Sequence, residues 1–110
     1  MEKTINKVEL NGFVGMDPVV KTLNDGTSLT RFSLATTNNY QNKKGEWVRD
    51  TTWHQVVLWG RGENQTEADI SKGSRVSVNG RLSQRKWVDK DGVQHNIVEV
   101  VARTIDVVKE

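Results

Sequence analysis

The sequence predicts an all-β domain, a five-stranded barrel with one short helix between its third and fourth strands and long hairpin loops. Three observations lead there. Apolar residues recur with a period of two in several separate stretches, as in strands that bury one face only. The turn signatures Asn24-Asp25-Gly26 and Asp89-Lys90-Asp91-Gly92 each join two such stretches. Only residues 61–72 have a helix-compatible composition, and they fall between two of the strands.

Taken in order, Val8, Leu10, Gly12 and Val14 alternate with Glu9, Asn11 and Phe13 in a first strand, stopped by Asp17-Pro18. The turn at Asn24-Asp25-Gly26 opens a hairpin into Leu29–Thr37, where Phe32 and Leu34 keep the period. Phe13 and Phe32 lie in otherwise aliphatic strands and read as packing residues. The polar, basic stretch Asn38–Gly45 has the composition of a long hairpin loop, and a third strand runs from about Trp47 to Trp59. Glu67, Ala68 and Ile70 give the helix a thin apolar face, which Lys72-Gly73 would terminate. A fourth strand covers Arg75–Val88 and a fifth runs from Val93 to about Ala102; Arg103–Glu110 reads as a strand extension or a short tail. This order is that of an OB-fold barrel, although counting strands would equally allow an SH3-like barrel.

The 110 residues make one domain, 1–110, with room for a modest core. Mean hydropathy is −0.64 and 35% of residues are hydrophobic, so the chain is surface-rich and has no membrane-length apolar run. Met1-Glu2-Lys3-Thr4 does not open a signal peptide. Without cysteine there are neither disulfides nor thiolate metal ligands, and a reduced, intracellular setting is expected. Net charge is only +2, so the placement of charge matters more than its sum.

That placement is informative. Trp53 and Trp59 share one strand face while His54, Val56 and Leu58 take the other. Arg75, Ser77, Asn79, Arg81, Ser83, Arg85 and Trp87 share a parity, opposite Val76, Val78 and Leu82, which are expected to supply the core. Flat aromatics among cations on a sheet can stack unpaired bases and neutralise phosphates. Tyr40, at the mouth of the basic loop, joins the candidate stackers, and Trp47 reads as either a loop prop or a further one. Lys43, Lys44, Arg49, Lys72, Arg85 and Lys86 flank these aromatics, whereas Lys90 and Lys109 read as solvated charges.

Catalytic chemistry finds little support. His54 and His95 are the only histidines and have no carboxylate cluster at ligand spacing, so no metal or cofactor is expected. Gly60-Arg61-Gly62 lacks the third glycine and the βαβ context of a dinucleotide fingerprint. No phosphate-cradling loop and no Ser/His/acid order stands out, and the chain reads as a binding protein rather than an enzyme. His54 reads as a hydrogen-bonded histidine on an interior or subunit-contact face.

Asn6-Lys7-Val8, Gly15-Met16-Asp17-Pro18, Phe32-Ser33-Leu34-Ala35-Thr36, Trp53 through Gly60, Lys72-Gly73-Ser74 and Gln84-Arg85-Lys86-Trp87 resemble, in order and spacing over residues 5–103, the bacterial single-stranded DNA-binding protein family. The resemblance implies an OB-fold that assembles, usually as a homotetramer, and wraps single-stranded DNA in replication, recombination and repair, in the cytoplasm and associated with the nucleoid. It places the base-stacking aromatics at Tyr40, Trp53, Trp59 and Trp87, sets Lys7, Arg31, Lys72 and Arg85 close to the DNA path, and puts His54 at a subunit contact. Tyr40 stands where the best-known members have Trp, and Trp59 where they have Phe; each keeps a π-face. Residues 61–71 are more polar than the family's helix, and the glycine- and proline-rich linker with its acidic tip is not in this sequence. The expectation is therefore a DNA-binding core or tailless member without tail-mediated protein partners, as a tetramer or failing that a dimer. Two other readings stay open, a primosome-type OB-fold interaction module and an RNA-binding OB domain.

Overall fold

The computed structural model describes residues 2–61 and 70–108. Six strands are present: β1 (Val8–Val14), β2 (Val19–Thr22), β3 (Thr27–Gln41), β4 (Trp47–Arg61), β5 (Arg75–Val88) and β6 (Gln94–Val107). They hydrogen-bond in the order β1-β5-β6-β4-β3-β2, and β1 returns to β3 at Phe13–Ala35 and Val14–Leu34. Five strands thus close a barrel and β2 adds an outer strand to β3, consistent with an OB-fold. Closure depends on Gly12. A Cβ there would overlap the Ala35 carbonyl, so only glycine lets β1 approach β3 this closely.

The core is what the period of two predicts in most places. Val14, Phe32, Leu34, Val56, Leu58, Ile70, Val76, Val78, Val100, Ala102 and Ile105 form one buried cluster, with Val8, Leu10 and Val107 against it. A bulge between Asn79 and Gly80 passes one extra β6 residue, so the inward positions of β6 switch from Val100 and Ala102 to Ile105 and Val107. The β5–β6 ribbon leaves the barrel past the last pairings with its neighbours, Val8–Gly80 to β1 and Val56–Val100 to β4.

Several expectations need correcting. Leu82 keeps the inward parity but is 48% exposed although its partner Val100 is in the core, because the pairing of β5 with β1 ends at Gly80 and no strand covers Leu82 on that side. Phe13, expected to pack, is 53% exposed on the outward parity of Glu9 and Asn11, whereas Phe32 is buried at 2%. The predicted loop Asn38–Gly45 is mostly ribbon: β3 and β4 stay paired out to Gln41–Trp47. Backbone ladder bonds form whatever the side chains, and both faces of this ribbon meet water, so polar residues suit it. The remaining turn is fixed by Asn42, whose Oδ1 accepts the Lys44 and Glu46 amides at 2.9 and 3.0 Å, and by Gly45 at φ 79°. The fifth predicted strand extends through Val107. The expected helix lies mainly on residues 62–69, outside the described residues; Arg61 ends β4, and no described residue is helical.

Candidate nucleic-acid interface

The outward residues of β3, β4, β6 and β5 make one continuous face. Register places Arg31 beside Val57, Val57 beside Val101, and Val101 beside Arg81. Trp53 and Trp59 flank this row on β4, and Arg85 and Trp87 lie further along β5. The indoles are open: Trp53 is 58% exposed, Trp59 51% and Trp87 45%. Val57 shares their parity yet is buried, since it sits where β4 meets β3 on one side and β6 on the other.

Trp53 is seated by the backbone. A Cβ on Gly15 would overlap the indole, so the ring lies against the chain just past β1. That chain is itself pinned, with the Gly15 amide donating to the Ser33 carbonyl at 2.9 Å and Asp17 Oδ1 accepting the Lys72 amide at 2.8 Å. The Gly73 amide closes the contact by donating to the Val14 carbonyl. Two motifs far apart in the sequence, Gly15-Met16-Asp17 and Lys72-Gly73-Ser74, therefore form one support, which brings exposed Lys72 close to the Trp53 seat.

Glu99 organises the cations. Its side chain is only 5% exposed, and its oxygens accept from Arg85 Nε at 2.9 Å and Arg31 Nη1 at 3.3 Å. A carboxylate withdrawn from water needs such partners, and here two guanidinium groups share the role while remaining partly open to solvent. Arg31 and Arg85 are thereby held on the same face as the indoles.

Other predicted residues lie elsewhere. Arg49 is on the outer face of the β3–β4 ribbon with Trp47, which is 73% exposed. Tyr40 pairs with Val48 and projects from the opposite face of that ribbon, the His54 side, so it is not on the Trp53 surface. Lys43 and Lys44 are exposed in the ribbon turn, and Lys86 points away from Trp87 on the far face of its own ribbon. Lys7 pairs with Glu9 at 3.1 Å and lines a cavity of about 330 Å³ with Arg81 and Arg103. His54 is half-buried and hydrogen-bonds Thr36 Oγ1 at 2.9 Å.

Sequence reasoning missed three contributors. Asn6 acts as a strand partner through its side chain: Nδ2 donates to the Leu82 carbonyl at 2.8 Å and Oδ1 accepts the Leu82 amide at 2.9 Å. Glu99 carried no local signal. His95 stacks on Trp87, and counting outward from the Asp89–Gly92 turn would have paired the two.

The sequence model of the single-strand binding protein family matches residues 5–108. Among solved structures, the chain is similar to a Plasmodium falciparum SSB in complex with ssDNA, with 33% identity and a TM-score of 0.84, covering 98% of this chain and 96% of that one. It is also similar to a deletion mutant of the single-stranded DNA binding protein from Thermus aquaticus. There the identity is 28% and the TM-score 0.82, over 96% of this chain and 51% of that one. A barrel of this topology, matched along almost its whole length, makes the chain a member of the single-strand binding protein family.

Proposed function

We propose that this chain binds single-stranded DNA without strong sequence preference, by base stacking and phosphate neutralisation, and so protects it during replication, recombination and repair in the cytoplasm. One observation carries the reading: exposed Trp53, Trp59 and Trp87 share a sheet face with Arg31 and Arg85, which buried Glu99 holds in place. Every base has a π-face, so such a platform tolerates any sequence. Lys72 extends the cationic track on the barrel side and Arg49 along the β3–β4 ribbon; Lys7 and Lys43 add charge at its margins, and Lys86 serves a strand that wraps to the far face of the β5–β6 ribbon. Tyr40 serves a strand that passes around the β3–β4 ribbon rather than across the Trp53 surface. The chain works by binding alone, with no catalytic step.

Titration of intrinsic tryptophan fluorescence with oligo-dT, duplex DNA and RNA tests this reading. Strong quenching by oligo-dT is expected, with affinity falling along a log–log salt line of slope roughly −0.7 per neutralised phosphate. Preference for duplex would overturn it, and tighter binding of RNA would favour an RNA-binding domain instead. Binding of neither would favour an interaction module.

Assembly is part of the proposal, because one OB-fold covers only about 4–16 nucleotides. A homotetramer is expected, with a dimer as the fallback. Support comes from β1, which pairs with β5 along Val8–Phe13 but meets β3 only at Phe13 and Val14. Exposed Leu82, Val88 and Val98 on the β5–β6 ribbon and the half-buried His54 face offer further contact. Light scattering giving a monomer mass at micromolar concentration would rule out both assemblies.

A further inference from the structure

Trp87 and His95 sit directly opposite each other across the β5–β6 ribbon, their ring centroids 4.4 Å apart and their planes 18° apart. The imidazole thus backs one face of the indole. Trp87 remains 45% exposed, so its other face can take a base. The His95 side chain is itself 42% exposed, and its Nε2 lies 2.8 Å from Asp89 Oδ2. Asp89 has little freedom, because its Oδ1 accepts the Asp91 and Val93 amides at 2.9 Å each. Its backbone closes the turn with Val93 and Gly92. The His95 hydrogen bond, then the Val93 amide, hold the Asp89 carboxyl below the usual carboxylate range. Asp89 is therefore ionised near neutral pH and accepts a hydrogen bond from the Nε2–H. Among the described residues nothing bonds the other ring nitrogen, Nδ1.

Charged groups near the pair come from three elements. On β5, Arg85 shares the Trp87 face and is engaged by Glu99, while Lys86 points away. The turn contributes Lys90 and Asp91 beside Asp89, and β6 contributes Glu99 beyond Ile97. His95 is thus the one titratable group stacked on an indole of the candidate interface among the described residues.

We propose that His95 is a nucleic-acid-binding residue: it makes a two-ring platform with Trp87 for one base and, when protonated, donates Nδ1–H to the adjoining phosphate. The proposal rests on the single-stranded DNA reading above. Protonation strengthens the pair twice over. An imidazolium gains cation–π attraction to the indole, and its N–H forms a charge-assisted bond to an anionic oxygen. DNA then favours the protonated form, so affinity rises as the pH is lowered. Asp89, its carboxyl held below the usual carboxylate range, stays ionised and keeps the ring oriented.

The test is the affinity for a labelled dT oligomer, read by anisotropy at about pH 8 and about pH 5.5 at fixed ionic strength. The wild type is compared with His95→Gln and His95→Phe, each checked for an unchanged fold by circular dichroism. The wild type is expected to bind about three- to tenfold tighter at the lower pH, the range of one exposed charge-assisted contact. His95→Gln loses that gain. His95→Phe keeps the stack, and so the affinity at the higher pH, but also loses the gain. His54, the only other histidine, is present in all three proteins and cancels in the comparison. Identical pH profiles for wild type and His95→Gln would overturn the proposal while leaving DNA binding intact. Failure of every protein to bind dT at either pH would overturn the single-stranded DNA reading and this proposal together.

Discussion

Trp53 and Trp87 are both half-exposed indoles on one sheet face, yet they are held in different ways. Trp53 lies against the backbone at Gly15, on a barrel wall fixed by hydrogen bonds from three segments of the chain. Trp87 stands on a two-stranded ribbon beyond the barrel, backed by one side chain, His95, which the turn carboxylate orients. A barrel wall pre-organises a ring at no local cost in side chains. A ribbon has no layer beneath it, so a neighbouring ring must supply the backing. The Trp53 site is therefore expected to be insensitive to pH and the Trp87 site responsive to it.

Replacing both tryptophans with alanine should have the largest effect. Each lost stack costs about 1–3 kcal/mol of DNA affinity, so Trp53→Ala with Trp87→Ala should cost roughly 2–6 kcal/mol together, additive if the sites are independent. A double-mutant cycle read by oligo-dT titration checks this, and strong non-additivity would mean the two regions act as one. Thermal unfolding should barely change, because both rings are surface residues. If Trp53→Ala instead melts the protein and spares affinity, the indole is a core residue.

Gly15→Val sharpens the contrast at smaller scale. The added side chain would overlap the far end of the Trp53 ring, which can swing away into solvent. A loss of about 1 kcal/mol in dT affinity is expected, with near-native stability. An equal loss in a Trp53→Ala background would show that Gly15 does not act through the indole.

Glu99 links the two regions, since Arg31 belongs to the barrel wall and Arg85 to the ribbon. Glu99→Gln removes the buried charge while keeping the shape. With both arginines partly solvated, the expected stability loss is only about 1 kcal/mol. The salt dependence of DNA binding should steepen, because the freed guanidinium groups can take up phosphates. An unchanged slope would mean that Glu99 does not restrain them.

The smallest effect is expected at Asp89. Its folded-state pKa lies below the unfolded value, so its contribution to stability is complete above the unfolded carboxylate range. It is lost as pH falls through the folded value. The melting-temperature gap between wild type and Asp89→Asn should therefore narrow as pH falls through the carboxylate range, and a gap that widens within that range would contradict the assignment.

The amino-acid sequence by itself determined the five barrel strands in outline and the outward tryptophans, though not β2, the length of the β3–β4 ribbon or the exposure of Phe13. A period of two is a local property of the extended chain, so Val76 and Val78 were assigned to the core, and Trp53, Trp59 and Trp87 to the surface, from parity alone. The turns at Asn24-Asp25-Gly26 and Asp89–Gly92 were equally legible, because glycine at positive φ is a local requirement. Tertiary structure decided where the barrel stops. Leu82 obeys the period of two and is still exposed, since burial depends on the layer opposite, which local pattern does not encode. Tertiary structure also joined Arg31 to Glu99 and Arg85, and Trp53 to Gly15. The Arg31–Glu99 and Trp53–Gly15 contacts span tens of residues and exist only because β1 and β6 return to the middle strands. Spacing along a chain can show which side a residue faces, but which distant residue shares that side is set by closure of the sheet.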